Sequence, residues 1–392
     1  MPPFMSSTFL PAERRKLIMA QYAIDPRHSN SLRHPLHRLA PPNDYTGSMA
    51  RTKALAPVDP ELWLRGLPKA ELHLHLEGSI TPETLVELSL RNDPAPLTLE
   101  AARQVYTYTD FPSFLMSFKA VTERLHTPAD YETITYNMLR DLAAQGIRHA
   151  EVYVSIGILY HFARLDVDEV MAAIEQGRTR GERDFNISLL WIIDAVRHFG
   201  LEECARVFTK AATLQHQYPS VVGIGIGGNE LLGPAHEFRD LYAEAKAAGL
   251  HLTCHAGENT GPQSIWAALN IGAERIGHAL SAQDDADLIS ILAERQIPLE
   301  LNVTSNLRTG CCPSLLEHPV KRYFEEGLMV TLNSDDPPFF GATLLDEYLL
   351  AHRTFEFPLD QLREIAANSI EASFLPPDRK LALLGEIERY GW

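Results

Sequence analysis

Cysteine is scarce in this sequence, and the four present, Cys204, Cys254, Cys311 and Cys312, form no Cys-x-x-Cys pair. Such a chain has no disulfide framework and reads as a reduced, cytoplasmic protein. Long apolar runs are missing too. None approaches the roughly 18 residues a membrane-spanning helix needs, and the N-terminal apolar positions are scattered among Pro, Arg and His, unlike a signal peptide. No membrane partner is expected. Basic excess is also lacking: the formal charge is −16. Nucleic acid is therefore excluded as the main partner, because phosphate binding needs a basic face. What remains is a globular composition, 45% hydrophobic and 22% charged over 392 residues, enough for one large barrel or two ordinary domains.

Residues 1 to about 60 are rich in Pro, Arg, His and Ser, carry a second methionine at Met49, and hold no sustained period. They read as an irregular or disordered extension. From residue 61 to 392 the texture predicts a single barrel domain. Strand-like runs recur at Glu71–His75, His149–Val154, Ser188–Ile193, Val221–Ile226, Leu250–His255, Arg275–His278, Pro298–Asn302 and Met329–Asn333. Helix-like segments separate them, among them Pro82–Arg91, Pro128–Gln145, Val167–Asp184, Leu201–Tyr218 and Pro234–Ala248. Eight alternations predict an α/β fold, a closed parallel (β/α)8 TIM barrel; a doubly wound open sheet would use fewer strands. One stretch breaks the alternation. Phe111, Phe114 and Phe118 lie three and four apart, one stripe of a helix between the first and second strands. Such a stripe serves either the core or a roof over the barrel mouth.

Barrel enzymes place their chemistry at the C-terminal ends of the strands, and ligand-type residues collect there. His73 and His75 alternate with leucines, so an extended strand points both imidazoles to one face. His255 ends the fifth strand, His278 the sixth, and Asp335 and Asp336 follow the eighth. Each alone is accounted for by a satisfied buried His or a helix-capping Asp. Together, three His and one Asp suit zinc, with room left for a water that ionises near neutral pH. Glu258, three residues after His255, is then placed to donate a proton, His278 to take the water's proton or hold it in position, and Asp336 to meet a substrate ring. Val221–Glu230 contains no Lys of the kind that bridges two metals in binuclear hydrolases, so one metal per chain is expected. Its glycines, Gly228 among them, allow close backbone approach to a ligand or simply a tight turn.

The ordered set Pro68-Lys-Ala-Glu-Leu-His-Leu-His-Leu-Glu-Gly78, Gly227-Gly-Asn-Glu230, His255-Ala-Gly-Glu258, Arg275-Ile-Gly-His278, Ser305-Asn306 and Ser334-Asp-Asp-Pro337 resembles the adenosine deaminase family over about residues 66 to 355. The resemblance implies a barrel with one zinc that hydrolytically removes the 6-amino group of an adenine ring. It implies His73, His75, His255 and Asp335 as metal ligands, and Glu258 as the acid at ring N1. His278 and Asp335 become the pair that orients and deprotonates the water, Asp336 the partner of N7, and the Gly228 backbone that of N3. It also makes the Phe111/Phe114/Phe118 helix a hydrophobic lid.

Two departures bear on substrate. The family usually has Asp where this chain has Glu77, at the sugar, and Gly-Asp-Glu where it has Gly228-Asn229-Glu230. Glu there is common in relatives acting on free adenine or modified nucleosides. The wording Gly227-Gly-Asn-Glu, His255-Ala-Gly-Glu-Asn-Thr-Gly-Pro262 and Asn333-Ser-Asp-Asp-Pro-Pro-Phe-Phe-Gly341 is similar to the branch that includes 6-aminodeoxyfutalosine deaminases of menaquinone synthesis. Thr309-Gly310 looks more like the nucleoside branch. The expected substrate is therefore a small-molecule purine nucleoside, adenosine or 6-aminodeoxyfutalosine, with adenine deamination or amide hydrolysis by a related metal enzyme as alternatives. A homo-oligomer is compatible with this reading.

Overall fold

The structure, a computed structural model, describes residues 59–109, 111–162 and 165–391. The extension expected over residues 1–60 lies outside these, save that Asp59 caps and Pro60 opens the helix Pro60–Gly66. Eight strands follow: β1 (Lys69–His75), β2 (Ile147–Val154), β3 (Ser188–Val196), β4 (Val221–Gly227), β5 (His251–Ala256), β6 (Arg275–His278), β7 (Leu299–Leu301) and β8 (Val330–Leu332). They pair in parallel in chain order. The expected TIM barrel is what forms, each run lying within a few residues of its sequence position. One helix differs: the segment expected over Pro234–Ala248 is a 3-10 turn, Ala235–Phe238, followed by the helix Arg239–Ala247.

β8 is short, and the circle closes just beyond it. Asp335 makes an isolated parallel bridge with Leu74. Its N–H donates to the His73 carbonyl at 3.0 Å, and its carbonyl accepts from the His75 N–H at 3.1 Å. The helix Leu359–Ala372 covers this seam: Ser369 Oγ accepts from the Ala70 N–H at 2.9 Å, and Asn368 Nδ2 donates to the Val330 carbonyl at 3.1 Å. That helix had no counterpart in the alternation read from sequence.

Inward-facing positions of the strands are polar, against the usual apolar filling of such barrels. At one end Lys69 donates to the carbonyls of Leu64, Leu67 and Gln145 at 2.8, 3.0 and 2.6 Å. In the middle Arg275 is clamped between Glu151 and Glu300. Pairing of this kind is what a buried charge requires.

The insertion between β1 and β2 contains the expected helix, Phe111–Thr122. Its stripe packs on the short helix Pro337–Phe340 that follows Asp336: Phe114 lies 5.7 and 5.6 Å from the rings of Phe339 and Phe340, and Phe118 lies 5.4 Å from Phe339. The two expectations for the stripe meet here, since aromatic packing is what fastens the insertion over the end of β8. The side chain of Phe111 lies outside the described residues.

Candidate active site

The four histidines singled out by sequence come together at the C-terminal end of the barrel. The His73 ring centroid is 5.5 Å from that of His75, 4.5 Å from His255 and 5.0 Å from His278. Closure of the barrel brings Asp335 to them: its Oδ1 is 3.4 Å from His75 Nε2 and 3.8 Å from His73 Nε2. Its other oxygen, Oδ2, accepts from Ser305 Oγ at 2.6 Å. Ligand-type atoms of His73, His75 and Asp335 all lie within 4.8 Å of one another, and so do those of His73, His255 and His278. His73 is common to both groups.

Its chemistry is fixed from behind. His73 Nδ1 lies 2.8 Å from Glu300 Oε2, so Nδ1 carries the proton and Nε2 a free electron pair. That Nε2 is buried and has no partner among the described residues. An orphaned imidazole nitrogen with a carboxylate behind it is the arrangement of a metal-ligating histidine. Burial would raise the Glu300 carboxyl, but Arg275 and His73 more than offset it and hold it below the usual range. Burial pushes His75 down to about 4 and His255 well below its ordinary value, so both are neutral, the form that ligates metal. The donor set fits a divalent ion such as zinc. Gly277 on β6 leaves room for the His73 ring, since a Cβ there would meet His73 Cε1 at 2.8 Å.

His278 is set apart from the other three by a hydrogen-bond chain. The Val320 N–H donates to His318 Nδ1 at 3.3 Å, which leaves the proton on His318 Nε2. His318 Nε2 then donates to Asn306 Oδ1 at 3.2 Å, and Asn306 Nδ2 donates to His278 Nδ1 at 2.9 Å. Burial lowers His318 to about 3, so it is neutral and the direction of the chain holds. Neutral His278 consequently carries its proton on Nε2, 3.8 Å from Glu258 Oε2. Both His278 and Asp335 have left-handed backbones, with φ of 65° and 63°. Such conformations in non-glycine residues persist where the surroundings enforce them, commonly at functional sites.

Glu258 sits on a loop that Glu230 holds. The Glu230 carboxylate accepts from the N–H groups of Gly257, Glu258 and Asn259 at 2.9, 2.9 and 3.1 Å, and from the hydroxyls of Thr260, at 2.7 Å, and Ser264. Burial raises the Glu258 carboxyl, which favours its protonated form. Burial, then Asp335, Glu77 and Glu258, raise Asp336 well above its ordinary value. Asp336 Oδ1 and Glu77 Oε2 are buried without partners among the described residues. Gly228, with φ of 88°, needs to be glycine: a Cβ would meet His198 Nδ1 at 2.7 Å.

Glu230 and Asn306 lie within the sequence motifs, where nothing distinguishes their tasks, whereas Glu300 and His318 lie outside every motif. The signal for Glu300 was there: a carboxylate inside a strand of otherwise apolar residues. His318 carried none, because it acts from a distant loop.

The match to known proteins agrees with this geometry. The family model for adenosine deaminase matches residues 68–390, further than the motifs reach because it takes in the C-terminal helices. An aminodeoxyfutalosine deaminase of Streptomyces avermitilis is 39% identical, over 84% of this chain and 92% of its own length. The solved structure of an adenine deaminase from Arthrobacter aurescens superposes with a TM-score of 0.75 at 31% identity, covering 83% of this chain and 99% of that one. An amidohydrolase from Burkholderia ambifaria, with zinc bound in its crystal structure, superposes with a TM-score of 0.76 at 25% identity, covering 86% and 96%. The chain belongs to the adenosine deaminase family, and it is a hydrolytic deaminase.

Proposed function

We propose that the chain is a zinc-dependent purine nucleoside aminohydrolase that converts a 6-amino purine nucleoside to the 6-oxo compound and ammonia. The observation that carries the reading is the orphaned Nε2 of His73, aimed into a ring of ligand-type groups with the Glu258–His278 pair beside it. His73, His75, His255 and Asp335 would hold the metal, one per chain. Bound there, zinc makes hydroxide available near neutral pH.

The protein's own groups do the rest. Glu258 protonates ring N1 and so makes C6 electrophilic. Asp335 accepts the proton of the attacking water. His278 presents its Nε2–H to the incoming oxygen and fixes the line of attack; the chain through Asn306 divides the labour in this way, orientation to His278 and deprotonation to Asp335. The proton taken from water passes from Asp335 to the 6-amino group, which leaves as ammonia, and the proton remaining on the C6 oxygen returns to Glu258 as the 6-oxo group forms. Asp336 contacts N7, the Gly228 backbone N3, and Glu77 the sugar, while Phe111 and Phe114 belong to the helix that shields the ring from solvent.

Aminodeoxyfutalosine is the preferred nucleoside, supported by the 39% identity to the Streptomyces enzyme, and would place the reaction in menaquinone synthesis. Adenine is the second reading, supported by the 31% identity to the Arthrobacter enzyme. Ammonia release from aminodeoxyfutalosine, adenosine and adenine, measured side by side on metal-analysed protein, tests it. Turnover of none with zinc bound would overturn the deaminase mechanism; preference for adenine would replace the nucleoside.

A further inference from the structure

One element reaches all three groups that handle protons in the proposed reaction. It is the short helix Val303–Arg308, which follows β7, together with the turn behind it. Ser305 Oγ donates to Asp335 Oδ2 at 2.6 Å, and Asn306 Nδ2 donates to His278 Nδ1 at 2.9 Å. Past the helix the chain turns back: Gly310 takes a left-handed φ of 77°, and the Cys312 N–H donates to the Asn306 carbonyl at 2.8 Å. The turn brings Cys311 to the third group, with its Sγ 3.8 Å from Glu258 Oε1. Cys311 lies outside the motifs and has no part in the steps above.

Glu230 fixes the backbone around Glu258 but not its carboxyl. Among the described residues, the hydrogen bond that carboxyl receives comes from Cys311. Burial, with Glu258 beside it, pushes the half-buried thiol up to about 12, so Sγ keeps its hydrogen and is the donor. In a carboxylic acid one oxygen bears the proton and the other is the better acceptor. With Oε1 taken by the thiol, the proton of Glu258 belongs on Oε2, the oxygen 3.8 Å from His278 Nε2. We propose that Cys311 is a positioning residue: its thiol holds Oε1 of Glu258 and so presents the proton-bearing Oε2 to the substrate ring. This deepens the aminohydrolase reading above and rests on it. An S–H is a weak donor, so what Cys311 contributes is alignment and not affinity.

The test uses the full-length zinc-loaded protein and whichever of aminodeoxyfutalosine, adenosine and adenine it turns over fastest. Cys311→Ala should lower kcat roughly three- to tenfold, the worth of one modest hydrogen bond, with KM and zinc content little changed. Cys311→Ser keeps a donor on a shorter arm and should recover part of that loss. Infrared spectroscopy reads the contact itself, since the S–H stretch falls where proteins otherwise barely absorb and rises in frequency as its hydrogen bond weakens. The Cys311 band, identified as the one missing from Cys311→Ala, should move up in Glu258→Ala. A band that stays in place overturns the proposal, because the thiol then has no acceptor in Glu258. A normal kcat in Cys311→Ala overturns it too, as do equal losses in Cys311→Ala and Cys311→Ser; in each case the deaminase reading stands. A wild type that turns over none of the three substrates sinks that reading and the positioning role together, whatever the band does.

Discussion

Glu300 and His73 meet at 2.8 Å in the fully buried interior of the barrel, and their contact decides which nitrogen of His73 is free. Glu300 also accepts from Arg275 Nε at 2.6 Å and from the Tyr153 hydroxyl at 3.1 Å, so its own position is over-determined. The candidate metal site is therefore built from the barrel's charged middle upward. Glu300→Gln should weaken zinc binding by roughly 10- to 100-fold, the usual cost of losing such a supporting carboxylate. Competition with a chelator of known affinity measures this. The variant also unbalances the buried Arg275, so the titration belongs at low temperature on protein verified as folded. Unchanged affinity would mean that His73 needs no carboxylate behind it.

Glu258→Gln separates binding from chemistry. Gln keeps the size and most of the polarity of Glu258 but cannot deliver a proton. Turnover should fall by on the order of 10²-fold or more, as expected for losing a general acid, while zinc content stays at one per chain. Full activity with metal retained would remove Glu258 from the mechanism.

Glu230 is predicted to matter for turnover although it stands behind the loop and not in the ring of ligands. Its two oxygens hold five donors from residues 257 to 264. In Glu230→Gln one oxygen becomes an NH2 group that faces N–H and hydroxyl donors it cannot accept from. The loop should relax and carry Glu258 out of line, with kcat falling by on the order of 10²-fold, the scale of a displacement of about 1 Å. Zinc content should be unaltered. A variant with normal kcat would show that Glu258 is placed by its own contacts alone.

These cases mark how far the sequence was legible. Residues on strands were easy, because a period of two sends His73 and His75 to one face whatever surrounds them. The family motifs gathered the residues at the other strand ends, and the fold brought them together. What could not be read was support across the fold. Glu300 faces His73 from a strand 227 positions away, and closure of the barrel by Asp335 is a backbone event that leaves no compositional trace. The helix Leu359–Ala372 escaped for a different reason: it covers the seam after the alternation has ended.

The chain from Val320 through His318 and Asn306 predicts a tautomer, and tautomers can be observed. Asn306→Asp puts an acceptor where an amide donated, so His278 should move its proton to Nδ1 and lose the Nε2–H that faces the reacting oxygen. We expect kcat to fall by on the order of 10²-fold with KM little changed, because the lost contact acts on the transition state. Nitrogen-15 chemical shifts of His278 should show the protonated nitrogen exchanging from Nε2 to Nδ1. Wild-type shifts with reduced kcat would assign Asn306 a merely structural part.

Glu347 offers a test of stability against pH away from the reacting groups. It is buried, with one oxygen accepting from the Thr304 N–H at 3.2 Å and the other, Oε2, unpartnered among the described residues. Burial raises its carboxyl from 4.5 to about 7. Between those values the folded chain keeps a proton that the unfolded chain has released. The stability Glu347 contributes is thus complete below pH 4.5 and is lost as pH rises through 7. At 1.36 kcal/mol per pH unit the loss amounts to roughly 3 kcal/mol. Glu347→Gln keeps the acceptor for Thr304 and cannot ionise. Urea unfolding of both proteins should therefore give similar free energies near pH 5 and an advantage for the variant that grows to that size by pH 8. A constant difference across the range would mean that Glu347 is ionised throughout, held by the N-terminus of the helix Val303–Arg308, whose Thr304 it already binds.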